Sequence, residues 1–170
     1  MLKTTMALVV VATFAGVAPV PAQGGAVRLA AATETPPSDR AAALRAQAEA
    51  LYSQPRQWSR AASLLERAAE AAGPADASGY ADLVAAGRLR ATLGDYTAAR
   101  ADMEKAAAHA LARGAVVDAA HAYIDAAYAA AADRQPHDAR ALVDSATLLA
   151  ESPLLTEAQS EQILRRIRIS

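Results

Sequence analysis

The chain has 170 residues and a formal net charge of −1, so it has no basic excess for nucleic acid and no polybasic patch for a membrane surface. It contains no cysteine, which excludes disulfides, thiolate metal sites and a lipidated N-terminal cysteine. Hydrophobic residues make up 54% of it and aromatic ones only 4%, because alanine dominates. Alanine favours helix and buries little area, so a single all-α domain with a thin core is expected.

The N-terminus opens with Lys3, an apolar stretch from Met6 to Val17, and the breakers Pro19 and Pro21. Val20 and Ala22 supply small residues for signal peptidase, so cleavage is expected before Gln23. The apolar run falls short of the roughly 20 residues that span a bilayer. Residues 1–22 are therefore expected to direct export, to the bacterial periplasm or outside the cell, and to be removed. Residues 23–37 mix Gly, Thr and Pro without helical period and are expected to form a flexible linker to a helical domain over 38–170.

Helices are then predicted in order. Ser38 is expected to cap the first, which runs to about Ser53. The second spans Trp58 to Ala72, closed by Gly73-Pro74. The third starts near Ser78 and ends at Leu93-Gly94-Asp95, and the fourth runs from Tyr96 to Arg113. The fifth covers Val116 to Asp133. Arg134-Gln135-Pro136 is expected as a turn before a sixth from Ala139 to Ala150. Thr156 and Gln159 form a capping box for a seventh helix, to Arg168.

A spaced triplet recurs in the even-numbered helices: Ala61/Leu65/Ala68, Ala99/Met103/Ala106 and Ala139/Val143/Ala146, at offsets of 38 and 40 residues. Ala48, Ala86 and Ala126 repeat in the odd-numbered helices at the same two offsets. Such a period marks a stack of helix pairs, each burying its apolar face on its neighbours.

The middle unit, with Leu83, Ala86, Gly87, Leu93-Gly94-Asp95-Tyr96, Ala99, Met103 and Ala106, resembles the tetratricopeptide repeat family in a long-period variant. The first unit matches with Tyr52, Trp58, Ala61, Leu65 and Ala68, and the third with Tyr123, Ala126, Ala127, Ala139, Val143 and Ala146. Glu49 stands where that family's contact glycine falls, Pro136 replaces the turn tyrosine, and Arg90 takes a place usually aromatic. The resemblance implies a right-handed α-solenoid of three antiparallel helix pairs plus a C-terminal capping helix. Its cap would use Leu154, Leu155, Ala158, Ile163 and Leu164. It also implies a non-catalytic module that holds a protein or peptide on its concave face, without cofactor or metal. The register places Ala43, Ala46, Ala50 and Gln54, then Ala81, Val84, Arg88 and Thr92, then His121, Ile124 and Tyr128 in that groove. Arg88, Thr92, His121, Ile124 and Tyr128 are the candidate contacts, Arg88 for a carboxylate and Tyr128 for an apolar or backbone group.

Two other readings compete. The alanine-lined faces could pair with a second copy of the chain. His121 and Asp125, at i and i+4, share a helix face and could orient a base or hold a metal in an enzyme. His109 and His137 sit on other helices, and no nucleophile motif or phosphate loop is present. A surface hydrogen bond between His121 and Asp125 is therefore the expected arrangement. Arg165, Arg166 and Arg168 are expected to complement the dipole of the last helix.

Overall fold

The computed structural model describes residues 36–169. The expected leader, residues 1–22, and all but the last two residues of the expected linker lie outside the described residues. Seven α-helices follow one another: α1 (Pro37–Glu49), α2 (Trp58–Ala72), α3 (Ala77–Thr92), α4 (Tyr96–Ala112), α5 (Val116–Ala132), α6 (Pro136–Ala150) and α7 (Glu157–Ile169). A 3-10 turn, Pro55–Gln57, precedes α2, and there is no strand among the described residues. No helix among them is long and apolar enough to cross a membrane.

Local chemistry sets the helix ends. The Asp76 carboxylate accepts from Ser78 N at 2.8 Å and opens α3, and Asp95 accepts from Ala98 N at 3.2 Å and opens α4. Thr156 N donates to Gln159 Oε1 at 2.9 Å while Gln159 N donates to Thr156 Oγ1 at 3.3 Å, a reciprocal capping box at the start of α7. Two expected boundaries are corrected. Ser38 does not cap α1; Pro37 begins that helix and the Ser38 hydroxyl turns to Asp39. Pro136 is not a turn residue but the first residue of α6, where its fixed φ and missing N–H cost nothing. The left-handed conformation that Gly94 adopts with φ 80° between α3 and α4 is taken by Arg134, with φ 58°, at the same place forty residues on.

Each helix packs on the next in sequence, and α7 rests on both α6 and α5. The all-α chain of consecutively packed helices is consistent with an α-solenoid. The core is thin: most buried apolar residues are alanine, and the largest fully buried side chains are Leu65, Leu83, Ile124, Ile163 and Asp102. Helices close up where side chains are smallest. A Cβ placed on Gly87 of α3 would lie 2.8 Å from Met103 Cε and 3.2 Å from Ala99 O, both on α4.

The polar contacts have the period of the sequence. Arg45 holds Asp82 through Nε at 2.7 Å and Nη2 at 2.6 Å, across 37 residues. The Tyr80 hydroxyl donates to Asp118 O at 3.3 Å across 38, Arg100 reaches Asp138 across 38, and Lys105 reaches Glu66 across 39. Each bond ties one unit to its immediate neighbour, as in a one-dimensional stack.

Arg90 makes the most buried of these links. From α3 it donates to Asp102 of α4 at 2.6 Å and to Glu66 of α2 at 2.9 Å. Asp102 is wholly buried and its Oδ1 has no partner. Desolvation pushes its carboxyl up from 3.8 to about 6, against the opposing pull of Arg90.

Gly87→Val forces a branched side chain against Met103 and the Ala99 carbonyl and should cost about 1–3 kcal/mol in urea unfolding; an unchanged midpoint would mean that α3 and α4 have room to spare. Because the folded state holds the Asp102 proton more tightly than the unfolded chain, this group's stabilisation is present below pH 4 and lost as pH rises through 6. Asp102→Asn should therefore gain on the parent by about 2 kcal/mol between pH 4 and pH 7. Parallel stability curves for the two proteins over that range would refute the assignment.

Candidate functional site

Three odd-numbered helices, α1, α3 and α5, carry the residues singled out for a groove. Ala43, Ala46 and Ala50 of α1 and its following turn, with Gln54, are exposed, as are Ala81, Arg88 and Thr92 of α3. Val84 and His121 are partly covered, and Tyr128 is 44% exposed. Ile124 departs from this set. It is 0% exposed, packed with Ala120, Ala146, Ala150 and Ile163, because α7 lies over the part of α5 that the register left open. Ile124 is a core residue and not a groove contact.

Two clefts open on this side of the chain. The first, about 550 Å³, lies between the turn after α1 and helix α3, with Tyr52, Trp58, Tyr80, Ala81, Val84, Ala85, Arg88, Leu89 and Thr92 around it. The second, about 560 Å³, is walled by Gly87, Arg88 and Ala91 of α3, Tyr96, Ala99 and Met103 of α4, Asp125, Tyr128, Ala129 and Ala132 of α5, and Arg166 of α7. They are the same cleft at successive unit boundaries. Trp58 and Tyr96, 38 residues apart, head α2 and α4. Ala85, Arg88, Leu89 and Thr92 correspond to Asp125, Tyr128, Ala129 and Ala132, each 40 residues on. Arg88 belongs to both, standing on the ridge between them.

Side-chain bonds hold the walls. Trp58 Nε1 donates to Tyr52 O at 2.9 Å, which fixes the indole against the turn. Tyr80 turns its ring to the first cleft while its hydroxyl is tied to α5, and the Arg113 guanidinium lies 5.5 Å from its ring centroid. Burial, reinforced by Asp118, raises the Tyr80 hydroxyl above the usual phenol value. Thr92 back-bonds to Arg88 O at 2.9 Å, and the Arg88 guanidinium stands at the mouth. That side chain is 70% exposed, with an Asp125 oxygen 4.0 Å away.

Asp125 does not hydrogen-bond to His121. It pairs with Arg166, which crosses from α7, and more distantly with Arg88. Arg166 therefore links the terminal helix to α5, from a place in the last turn of α7 where, with Arg168, it also suits that helix's dipole. His121 Nε2 is buried without a partner, and desolvation and the Arg166 charge hold its pKa below the ordinary value. Among the described residues no three His, Asp or Glu side chains converge as a metal site.

Tyr52, Tyr80, Ala85, Leu89, Ala91, Ala129, Ala132 and Arg166 also line the clefts and were absent from the sequence-based set of contacts. The register itself could have supplied Ala132, since it is the equivalent of Gln54 and Thr92. Nothing in the linear pattern could have placed Arg166. Comparison with protein-family models, curated proteins and solved structures gives no match.

The contact between Ile163 and Ile124 is the joint on which α7 depends. Ile163→Ala should lower stability by about 2–5 kcal/mol in urea unfolding and raise proteolytic cleavage within 151–169. A loss below 1 kcal/mol would show that α7 is held by other means.

Proposed function

We propose that this chain is an exported, non-catalytic interaction module of the tetratricopeptide kind, a right-handed solenoid that holds a peptide or protein partner on its concave face. The observation that carries the reading is the repeated cleft: two recesses of nearly equal size, at equivalent places in successive units, joined by one exposed guanidinium. Ligand recesses are typically about 300–1,000 Å³, and a row of like recesses suits an extended chain better than a compact small molecule. Residues 38–152 would form three antiparallel pairs, with α7 closing the stack. The polar outer face of α7, with Glu157, Glu161, Gln162, Arg165 and Arg168, fits a cap.

The catalytic alternative has little chemistry to draw on. His121 Nε2 is enclosed and Asp125 is engaged by Arg166 rather than by His121, so the two are not arranged as a base and its orienting carboxylate. Self-association has one observation in its favour, the exposure of Leu148 at 71% and Leu154 at 77%.

Crosslinking the full-length chain in its native compartment, beside an Arg88→Glu/Tyr128→Ala variant, tests the reading. A partner captured by the parent and lost from the folded variant is the expected result. A partner retained by the variant would move the interface away from the clefts, and crosslinks only between copies of the chain would overturn the reading in favour of self-association.

A further inference from the structure

The exposed faces of α2 and α6 carry opposite charges at matching intervals. On α2, Arg60, Ser63, Arg67 and Glu70 follow at steps of three, four and three residues, and all four are exposed. On α6, read backwards from the residue that ends it, Glu151, Leu148, Asp144 and Arg140 follow at steps of three, four and four, again all exposed. At about 3.6 residues per turn each set falls within an arc of about 80° and forms one strip along its helix. None of the six charged groups forms an ion pair among the described residues. Glu70 exerts only a through-space pull on Lys105, and Glu66 is turned to Arg90 and Lys105, so Arg60 and Arg67 dominate the α2 strip. Leu148, 71% exposed, stands in the middle of the α6 strip. Ser63 stands in the middle of the other. Its hydroxyl already donates to Ser59 O at 3.1 Å, so an apolar side chain can cover it without stranding a donor.

We propose that the two strips bind each other between copies of the chain, α2 of one copy lying antiparallel on α6 of the next. With Arg60 set against Glu151, the shared step of three brings Ser63 to Leu148, and the shared step of four brings Arg67 to Asp144. Glu70 then comes within one residue, about 1.5 Å along the axis, of Arg140. Each charge meets its opposite, and the one large apolar side chain meets the one small residue. A parallel alignment fails the same check. Arg60 and Arg67 would still find Asp144 and Glu151, but Arg140 would fall near Arg56, since each lies four residues before its neighbour in the strip. Within one chain α2 packs on α1 and α3, and α6 on α5 and α7, so the partner of each strip comes from another copy. The two surfaces are unlike, so the contact extends from copy to copy or closes into a ring. None of the eight residues lines either cleft, and the contact stands or falls separately from the partner site.

Exposed ion pairs are individually weak and screened by salt, so the test is sedimentation velocity of the full-length chain over a wide concentration range at about 20 mM and about 0.5 M salt. Association is expected at low salt, and its loss at high salt. The variants Arg60→Glu/Arg67→Glu and Asp144→Lys/Glu151→Lys should each associate at least tenfold more weakly at unchanged circular dichroism. An equimolar mixture of the two should associate again, because the first keeps the α6 strip and the second keeps the α2 strip. If either variant fails to fold, Arg60→Gln/Arg67→Gln and Asp144→Asn/Glu151→Gln take their place. A parent that stays monomeric at low salt, variants that associate like the parent, or a mixture no larger than its components would overturn the proposal. A foreign protein crosslinked to the parent and lost from the α2 variant would also overturn it, since that strip would then belong to another partner.

Discussion

Helices faced with alanine can be held together only by close approach, and the rest of the structure depends on that constraint. A buried alanine removes little apolar surface from water compared with leucine, so each interface gains what it can from contact over many small atoms. Gly87 against Met103 and Ala99 is the tightest case: a β-carbon there would have to displace the Met103 methyl and press on the Ala99 carbonyl. Backbones this close bring long polar side chains within reach of the neighbouring unit. Arg45, Arg100, Lys105 and Arg166 each find an acid between 37 and 41 residues away. Exposed ion pairs contribute little stability individually, but these fix which residue of one unit lies opposite which residue of the next.

Arg90 follows from the same constraint. Its equivalents in the neighbouring units are Tyr52 and Ala130, and its guanidinium bridges α2, α3 and α4 through Glu66 and Asp102. An aromatic ring at that place would have buried more apolar area; the arginine instead joins three helices at a point where alanine leaves little else to join them. Such a pair adds little net stability over an apolar replacement, yet losing one partner strands the other charge in the core. The raised Asp102 carboxyl shows that burial outweighs the favourable charge beside it.

The helices and their order were legible in the sequence because alanine spacing, capping residues and glycine–proline breaks are local signals. Asp95, Gly94 and the Thr156–Gln159 box each act within one turn of their own position. The polar partnerships were not legible, since the choice of Asp125 between His121 on its own helix and Arg166 on another is settled by which elements lie alongside. His121 lost that competition because a guanidinium offers a charged, forked donor where a neutral imidazole offers one weak bond. Ile124 was misplaced for a related reason. The register described an open third groove, whereas α7 rests on both α6 and α5. Ile124 then meets Ile163 instead of solvent.

That covering helix also determines how the clefts come to differ. A strictly periodic stack would present identical recesses, and here the period repeats their position and size but not their lining. At equivalent places Leu89 gives way to Ala129, Ala85 to Asp125 and Arg88 to Tyr128, so the first cleft keeps its aliphatic wall while the second exchanges it for charge. Left alone, Asp125 would neutralise Arg88 and leave the ridge without net charge. Arg166 adds a second guanidinium from α7 to the same carboxylate, so Asp125 is shared between Arg166 and Arg88 and one positive charge remains. The terminal helix therefore does two things with one face: Ile163 seals the last apolar surface of the stack, and Arg166, three residues later and so almost one turn along, brings a second guanidinium to Asp125.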